Sequence, residues 1–197
     1  MVDWYSRSFS KKCEVDNGLC NVAPAPGLLP DWQIALLCGA ELPLIAPFNA
    51  ELLNTASYDV TVGATAKVEL PDGEWLDLDL TAYSVEHPLL ISPKEFLLVQ
   101  TAETFNLPGT IASEFRIKSS RAREGWSNAL AVWCDPGWHG SVLTMELINE
   151  RRYKALPLYP GLKIGQMVFW RCAGEPDVSY AVKGRYNGER SVMASKG

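Results

Sequence analysis

Histidine is scarce in this chain of 197 residues: His87 and His139 are the only two, and no C-x-x-C or H-x-E occurs. A zinc-dependent nucleobase deaminase needs a His/Cys or all-Cys ligand set beside a separate Glu, and a structural zinc needs four such ligands. Neither set can be assembled here. G-x-x-x-x-G-K-[ST], G-x-G-x-x-G and G-x-S-x-G are also missing, which removes the standard phosphate loops and the nucleophile elbow. No apolar run approaches the roughly 18 residues of a membrane span, and the N-terminus has no apolar signal-peptide core. Cysteine is sparse and odd in number: Cys13, Cys20, Cys38, Cys134 and Cys172 are scattered, as expected of free thiols in a reducing compartment. The net charge of −5 is the wrong sign for a general nucleic-acid binder. These absences describe a soluble, cytoplasmic protein without a membrane or nucleic-acid partner. Any catalysis must come from carboxylates, hydroxyls and guanidinium groups.

Hydrophobic residues make up 47% of the chain and charged residues 21%, so one globular domain is expected. Residues 1–27 read as an N-terminal extension ending in the Pro/Gly-punctuated "NVAPAPG". "LPDWQIALLCGAEL" predicts a short helix, with Asp31 as its cap, Ile34, Leu36 and Leu37 on its apolar face and Gly39 as its stop. Strand patterns then follow: "SYDVTVG", "AKVEL", "LDLDL", "FLLVQT", "IASEFRIK", "NALAVW", "SVLTMELI" and "KIGQMVFW". Turn signals separate them at 71–73, 92–95, 107–109, 135–137 and 159–161. Many short strands with regular turns predict an all-β sandwich or barrel. The polar tail "GRYNGERSVMASKG" reads as a mobile arm.

Three stretches carry chemistry. "KSSRAREG" groups Lys118, Ser119, Ser120, Arg121 and Arg123, a local anion site if the side chains converge and a solvated basic turn if they do not. "DPGWHG" offers Asp135 to a sugar hydroxyl and Trp138 to a sugar face, or is simply a turn above a buried tryptophan. Glu146 stands inside the apolar run "VLTMELI". Facing inward it needs a partner such as Arg123 and is a candidate base; facing outward it is an ordinary surface carboxylate.

Taken in order, "LPDWQI", "ELLNTASYDVTVG", "ISPKEFLLVQTAETFNLP", "KSSRAREG", "DPGWHG", "MELIN", "YPGLKIGQMVF" and "YAVKGRYNGERS" resemble the dCTP deaminase family of the dUTPase-like superfamily over about residues 28–195. The resemblance implies a distorted jelly-roll β fold over 28–197, a homotrimer with active sites shared between subunits, and zinc-independent conversion of dCTP to dUTP and ammonia. Magnesium would accompany the triphosphate. Glu146 matches the base that activates water; Ser119 and Arg123 match the groups that position the water and support charge, with Arg123 holding the Glu146 pKa down. Lys118 and Ser120 match triphosphate contacts, and Asp135 the 3′-hydroxyl acceptor with Trp138 at the deoxyribose. Backbone groups from Ala131 to Trp133 would serve the base. Tyr180 and Arg185 match the closing C-terminal segment, and Gln166 matches a strand glutamine. Departures are specific. One residue fewer stands between Gly125 and the Asp-Pro-Gly turn and one more between that turn and Glu146, which a compensating bulge would absorb. Lys118 replaces an arginine, and Glu189 replaces a tail glutamine near phosphate. A bifunctional deaminase/dUTP pyrophosphatase, a dUTPase-like hydrolase using Asp135 or Asp59, a dCMP-type deaminase and a non-catalytic nucleotide binder stay open beside the leading expectation.

Overall fold

The computed structural model describes residues 25–197; residues 1–24 of the expected extension, with Cys13 and Cys20, lie outside it. The described chain runs β1 (Gly27–Leu28), α1 (Asp31–Cys38), β2 (Ile45–Ala46), β3 (Tyr58–Glu69), β4 (Trp75–Asp79), β5 (Leu89–Ile91), β6 (Phe96–Asn106) and β7 (Ile111–Ile117). It continues through α2 (Ser119–Glu124), β8 (Trp126–Asn128), β9 (Trp133–Cys134), β10 (His139–Asn149), β11 (Leu156–Leu158), β12 (Lys163–Arg171) and α3 (Tyr180–Lys183). The fold is mainly β, built on a curled antiparallel sheet. No helix among the described residues is long and apolar enough to cross a membrane.

One sheet follows the order β8-β10-β6-β3-β12-β7-β9, and β5 pairs separately with β11. The curl depends on β3. Its first residues pair with β12, Tyr58 opposite Met167 and Thr61 opposite Lys163. Its later residues pair with β6 and β4, Val68 lying opposite both Leu97 and Leu76. A single strand therefore belongs to both halves of the sandwich. Tyr58, Val60, Val62 and Ala66 of β3 face a core shared with Leu97, Val99 and Phe105 of β6, Met145 and Leu147 of β10, and Ile164, Met167 and Phe169 of β12.

The corner is built without side-chain bulk. The β3–β6 register shifts between Val62 and Ala66, and a Cβ added to Gly63 would stand 2.7 Å from the Thr101 carbonyl oxygen. The buried Glu103 carboxylate closes the same corner, accepting from the Thr61 amide at 3.0 Å and the Thr61 hydroxyl at 2.8 Å. Burial pushes its pKa upward, and these bonds satisfy what would otherwise be a costly interior charge.

Several expectations change in detail. "SYDVTVG" and "AKVEL" belong to one strand, because their alternation continues without a turn. "NALAVW" is not a strand; Ala129–Val132 form a loop between β8 and β9, and Leu130 there adopts a φ of 66°. Pro30, not Asp31, is the N-cap of α1; Asp31 opens the helix and its carboxylate accepts from the Trp32 amide at 2.8 Å. Gly39 ends α1 as expected. Gly27–Leu28, read as irregular, pair with Trp170–Arg171 at the edge of β12. "KSSRAREG" is a six-residue helix, ended by Gly125 at φ 117°. Gly63→Val should lower stability by about 1–3 kcal/mol through overpacking against backbone, measured as a reduced urea midpoint with an unchanged m-value.

Candidate functional site

Glu146 owes its position to the alternation of β10. Met145, Leu147 and Asn149 point into the core and are buried, so Glu146 and Thr144 project from the opposite face. There Glu146 lines a cavity of about 670 Å³, within the size range of small-ligand sites. Strand β10 is irregular in two places upstream of Glu146. Between His139 and Ser141 β10 advances two residues while β6 advances one, from Asn106 to Phe105. Gly140 is the unpaired residue, with φ 64°, the left-handed conformation that glycine supplies in a bulge. Its amide donates to the Asn106 side chain at 3.0 Å. Downstream of the bulges Glu146 lies opposite Leu98.

Three further segments line the cavity. The Ala129 amide donates to the Glu146 carbonyl at 3.1 Å, which sets Leu130, Ala131, Val132 and Trp133 beside the carboxylate. Phe115 and Val132 lock this loop to β7 through a 2.8 Å amide–carbonyl bond. In the Asp-Pro-Gly turn, Asp135 accepts from the Trp133 indole N–H at 2.9 Å. Trp138 lines the cavity but is 5% exposed; it stacks on Phe105, with ring centroids 5.8 Å apart, and its indole N–H holds the Tyr186 carbonyl at 3.0 Å. Its indole thus joins core, turn and tail.

The third segment is the C-terminal tail, which packs along β10 in place of a free arm. Strand β8 covers only Leu147–Asn149, leaving the first half of β10 without a strand on that side. The tail takes this place: Gly188 donates to His139 O at 3.2 Å, Val142 donates to Glu189 O at 2.9 Å, and Met193 donates to the Thr144 hydroxyl at 3.3 Å. Tyr180, Tyr186, Glu189 and Met193 thereby reach the cavity. Glu189 is ion-paired with Lys196, whose ammonium also donates to Arg185 O at 2.8 Å and lies 5.2 Å from the Tyr186 ring centroid. A lysine of the same tail thus neutralises the carboxylate that replaces the expected glutamine.

Within one protomer burial dominates the electrostatics of Glu146. Burial pushes its pKa upward, eased only by a backbone hydrogen bond, and no Lys or Arg lines the cavity. Arg123 does not hold it down within one protomer. Lys118, Ser119, Ser120 and Arg123 form a separate group at α2. Ser119 and Arg123 are exposed and four residues apart, hence on one helix face. Arg121 is engaged elsewhere, with Glu124 and with the Lys163 carbonyl at 3.0 Å. Lys118 forms an ion pair with the buried Asp59, which also accepts from the Asn54 side-chain Nδ2 at 2.9 Å, and Gln166 stands opposite Asp59 on β12.

One protomer therefore brings Ala131, Trp133, Asp135, Trp138, Glu146, Tyr180 and Glu189 to one cavity and leaves the α2 cluster, Gln166 and Arg185 outside its lining. Sequence reasoning missed Trp75, Phe96, Leu98, Tyr186 and Met193, all on the cavity wall. Phe96 and Leu98 were legible as one face of an alternating strand; Trp75 has no local signal. The Asp59–Lys118 pair gives a direct prediction. Asp59→Ala leaves a half-buried ammonium unpaired and should cost about 1–3 kcal/mol, below the range for fully buried pairs because Lys118 reaches solvent. Adding Lys118→Met should recover part of that loss in a double-mutant cycle read by urea unfolding.

The dCTP deaminase-like family (DCD) matches residues 28–172. A Pyrococcus abyssi dCTP deaminase is 36% identical over 169 residues, covering 86% of this chain and 98% of that protein. A Persephonella marina protein named "dCTP deaminase, dUMP-forming" is 30% identical over 177 residues, covering 86% of this chain and 96% of its own. The crystal structure of 2′-deoxycytidine 5′-triphosphate deaminase from Agrobacterium tumefaciens superposes with a TM-score of 0.59 at 17% identity, over 75% of this chain and 49% of that longer one. With a family match over most of its length and relatives above 30% identity along nearly their whole sequences, the chain belongs to the dCTP deaminase-like family.

Proposed function

We propose that this protein hydrolyses the 4-amino group of dCTP, giving dUTP and ammonia, with Glu146 as the proton-transferring base in a site completed by a second copy of the chain. The observation that carries the reading is the half-buried Glu146 carboxylate on the wall of a nucleotide-sized cavity. Its unionised form is favoured by burial, whereas the reaction needs the ionised form to accept a proton from water. Hydroxide then adds to C4, the carboxyl returns the proton to the departing nitrogen, and the C4–N bond breaks. A positioned base of this kind contributes about 10²–10⁴-fold.

What one protomer lacks, a homotrimer would supply. Ser119 and Arg123 share an exposed face of α2 and have no part in their own cavity. Placed at the Glu146 of an adjacent copy, Arg123 would favour ionisation of the carboxylate, and Ser119 would orient the water. Lys118, fixed by Asp59, and Ser120 would meet the triphosphate. Asp135, Trp133 and Trp138 would hold the sugar, backbone groups of Ala131–Trp133 the base, and Tyr180, Arg185 and Glu189 would act with the closing tail. Gln166, opposite Asp59, belongs to the Lys118 side of this arrangement. Magnesium enters with the substrate, chelated by its phosphates. Among the described residues, no group of three or more His, Cys, Asp or Glu is placed to hold a metal ion.

A second reading has its own support in the relative named as dUMP-forming: the same site would also cleave dUTP to dUMP and pyrophosphate. Incubation with dCTP and magnesium separates the two readings by product. Ammonia with dUTP supports deamination alone, ammonia with dUMP and pyrophosphate supports the bifunctional enzyme, and no ammonia refutes both.

Glu146→Gln should reduce turnover by about 10²–10⁴-fold. It should also leave the isolated fold as stable as the parent, or more so, at neutral pH. The sign follows from the raised folded-state pKa: the stability this carboxyl contributes is complete below its unfolded pKa and is lost as pH rises through the folded value. Any gain in the glutamine variant should therefore vanish in acid, as thermal melts at pH 3 and pH 7 would show. Arg123→Ala should move the acid limb of the kcat profile to higher pH, because loss of a cation raises the pKa of the base.

A further inference from the structure

The cavity is divided at Glu146 into a polar and an apolar side. On the β8 side lies the Ala129–Val132 loop, tied to the Glu146 carbonyl by the Ala129 amide. Its irregular backbone carries polar groups outside any strand ladder. On the β6 side, Leu98 stands directly opposite Glu146, and Phe96 is two residues along the same face. Beyond it, the Trp75 ring meets Phe96 edge-on at 5.9 Å. Leu98, Phe96 and Trp75 all line the cavity that holds Glu146, and Val142 and Met193 add to its apolar wall.

A pyrimidine whose C4 lies at the carboxylate has two edges flanking that carbon. One carries N3 and O2, which lose free energy if buried without partners. The other carries C5 and C6, which need none. The N3/O2 edge therefore turns to the loop, and C5 turns to Leu98, Phe96 and Trp75. A group on C5 is two bonds from the reacting carbon and projects into this aromatic bay. We propose that the site accepts cytosine deoxynucleotides bearing an apolar C5 substituent, 5-methyl-dCTP first among them, with Leu98, Phe96 and Trp75 as the residues that receive the substituent. This rests on the deaminase reading and names its substrate class. The reaction is balanced by water alone. Its oxygen bonds to C4, the C4–N bond breaks, one water proton passes through Glu146 to the leaving nitrogen, and 5-methyl-dUTP and ammonia result without redox change.

The test is competition. The full chain is incubated with magnesium and equimolar dCTP and 5-methyl-dCTP, and both products are resolved by chromatography. The inference expects a kcat/KM for 5-methyl-dCTP within about tenfold of that for dCTP, or above it, since a methyl in a fitting apolar pocket adds binding. Consumption of dCTP with 5-methyl-dCTP left intact overturns the inference and leaves the deaminase reading standing. Consumption of neither removes both. Phe96→Trp, which adds bulk to the bay, should lower the ratio of 5-methyl-dCTP to dCTP turnover at least about fivefold. An unchanged ratio would show that the substituent does not lie in the bay.

Discussion

A carboxylate without a cation of its own is the constraint around which this protein is arranged. Glu146 is set on β10, half-buried, with apolar strand residues on one side and a backbone loop on the other. An ionised carboxylate there is costly until a guanidinium arrives. The isolated protomer does not meet that requirement, and the exposed Ser119–Arg123 face of α2 is a surface whose chemistry would. In the proposed assembly a single electrostatic interaction would couple association to catalysis, because the cation at the interface would also favour ionisation of the base.

The scaffold supports this through backbone devices more than through bulk. Strand β3 passes from one half of the sandwich to the other at Gly63, where the chain approaches β6 too closely for a side chain. Gly140 stands unpaired in a bulge of β10, between the Asp135 turn and the stretch that carries Glu146. A one-residue slip in a regular strand would have turned Glu146 into the core. The tail completes the wall by bonding to the unpaired half of β10, and the Glu189–Lys196 pair keeps a carboxylate near the cavity without leaving it uncompensated.

Much of the fold was legible in advance where periodicity was long. "FLLVQT", "SVLTMELI", "KIGQMVFW" and all of "IASEFRIK" but its final Lys118 lie in strands, because a half-buried strand leaves alternation in its sequence. "NALAVW" misled because an exposed apolar loop residue, Leu130, looks like a strand residue in one dimension. "KSSRAREG" has no apolar face from which a helix could be recognised, and α2 is too short to show a period. Asp135, Trp138 and Glu146 stand out in the sequence by their chemistry, and they share one cavity. Trp75 and Met193 reach it from distant parts of the chain and carried no local mark.

The sequence by itself determined the residue types and their order. It set the alternation that makes a mainly β fold, and placed one acid within an apolar strand downstream of a serine–arginine cluster. Tertiary structure alone decided which face Glu146 occupies, because that depends on bulges whose position is a property of two strands together. It also decided that the serine–arginine cluster stands apart from the acid within one chain, because that separation is set by the path of the sheet between them and by no local preference of either segment.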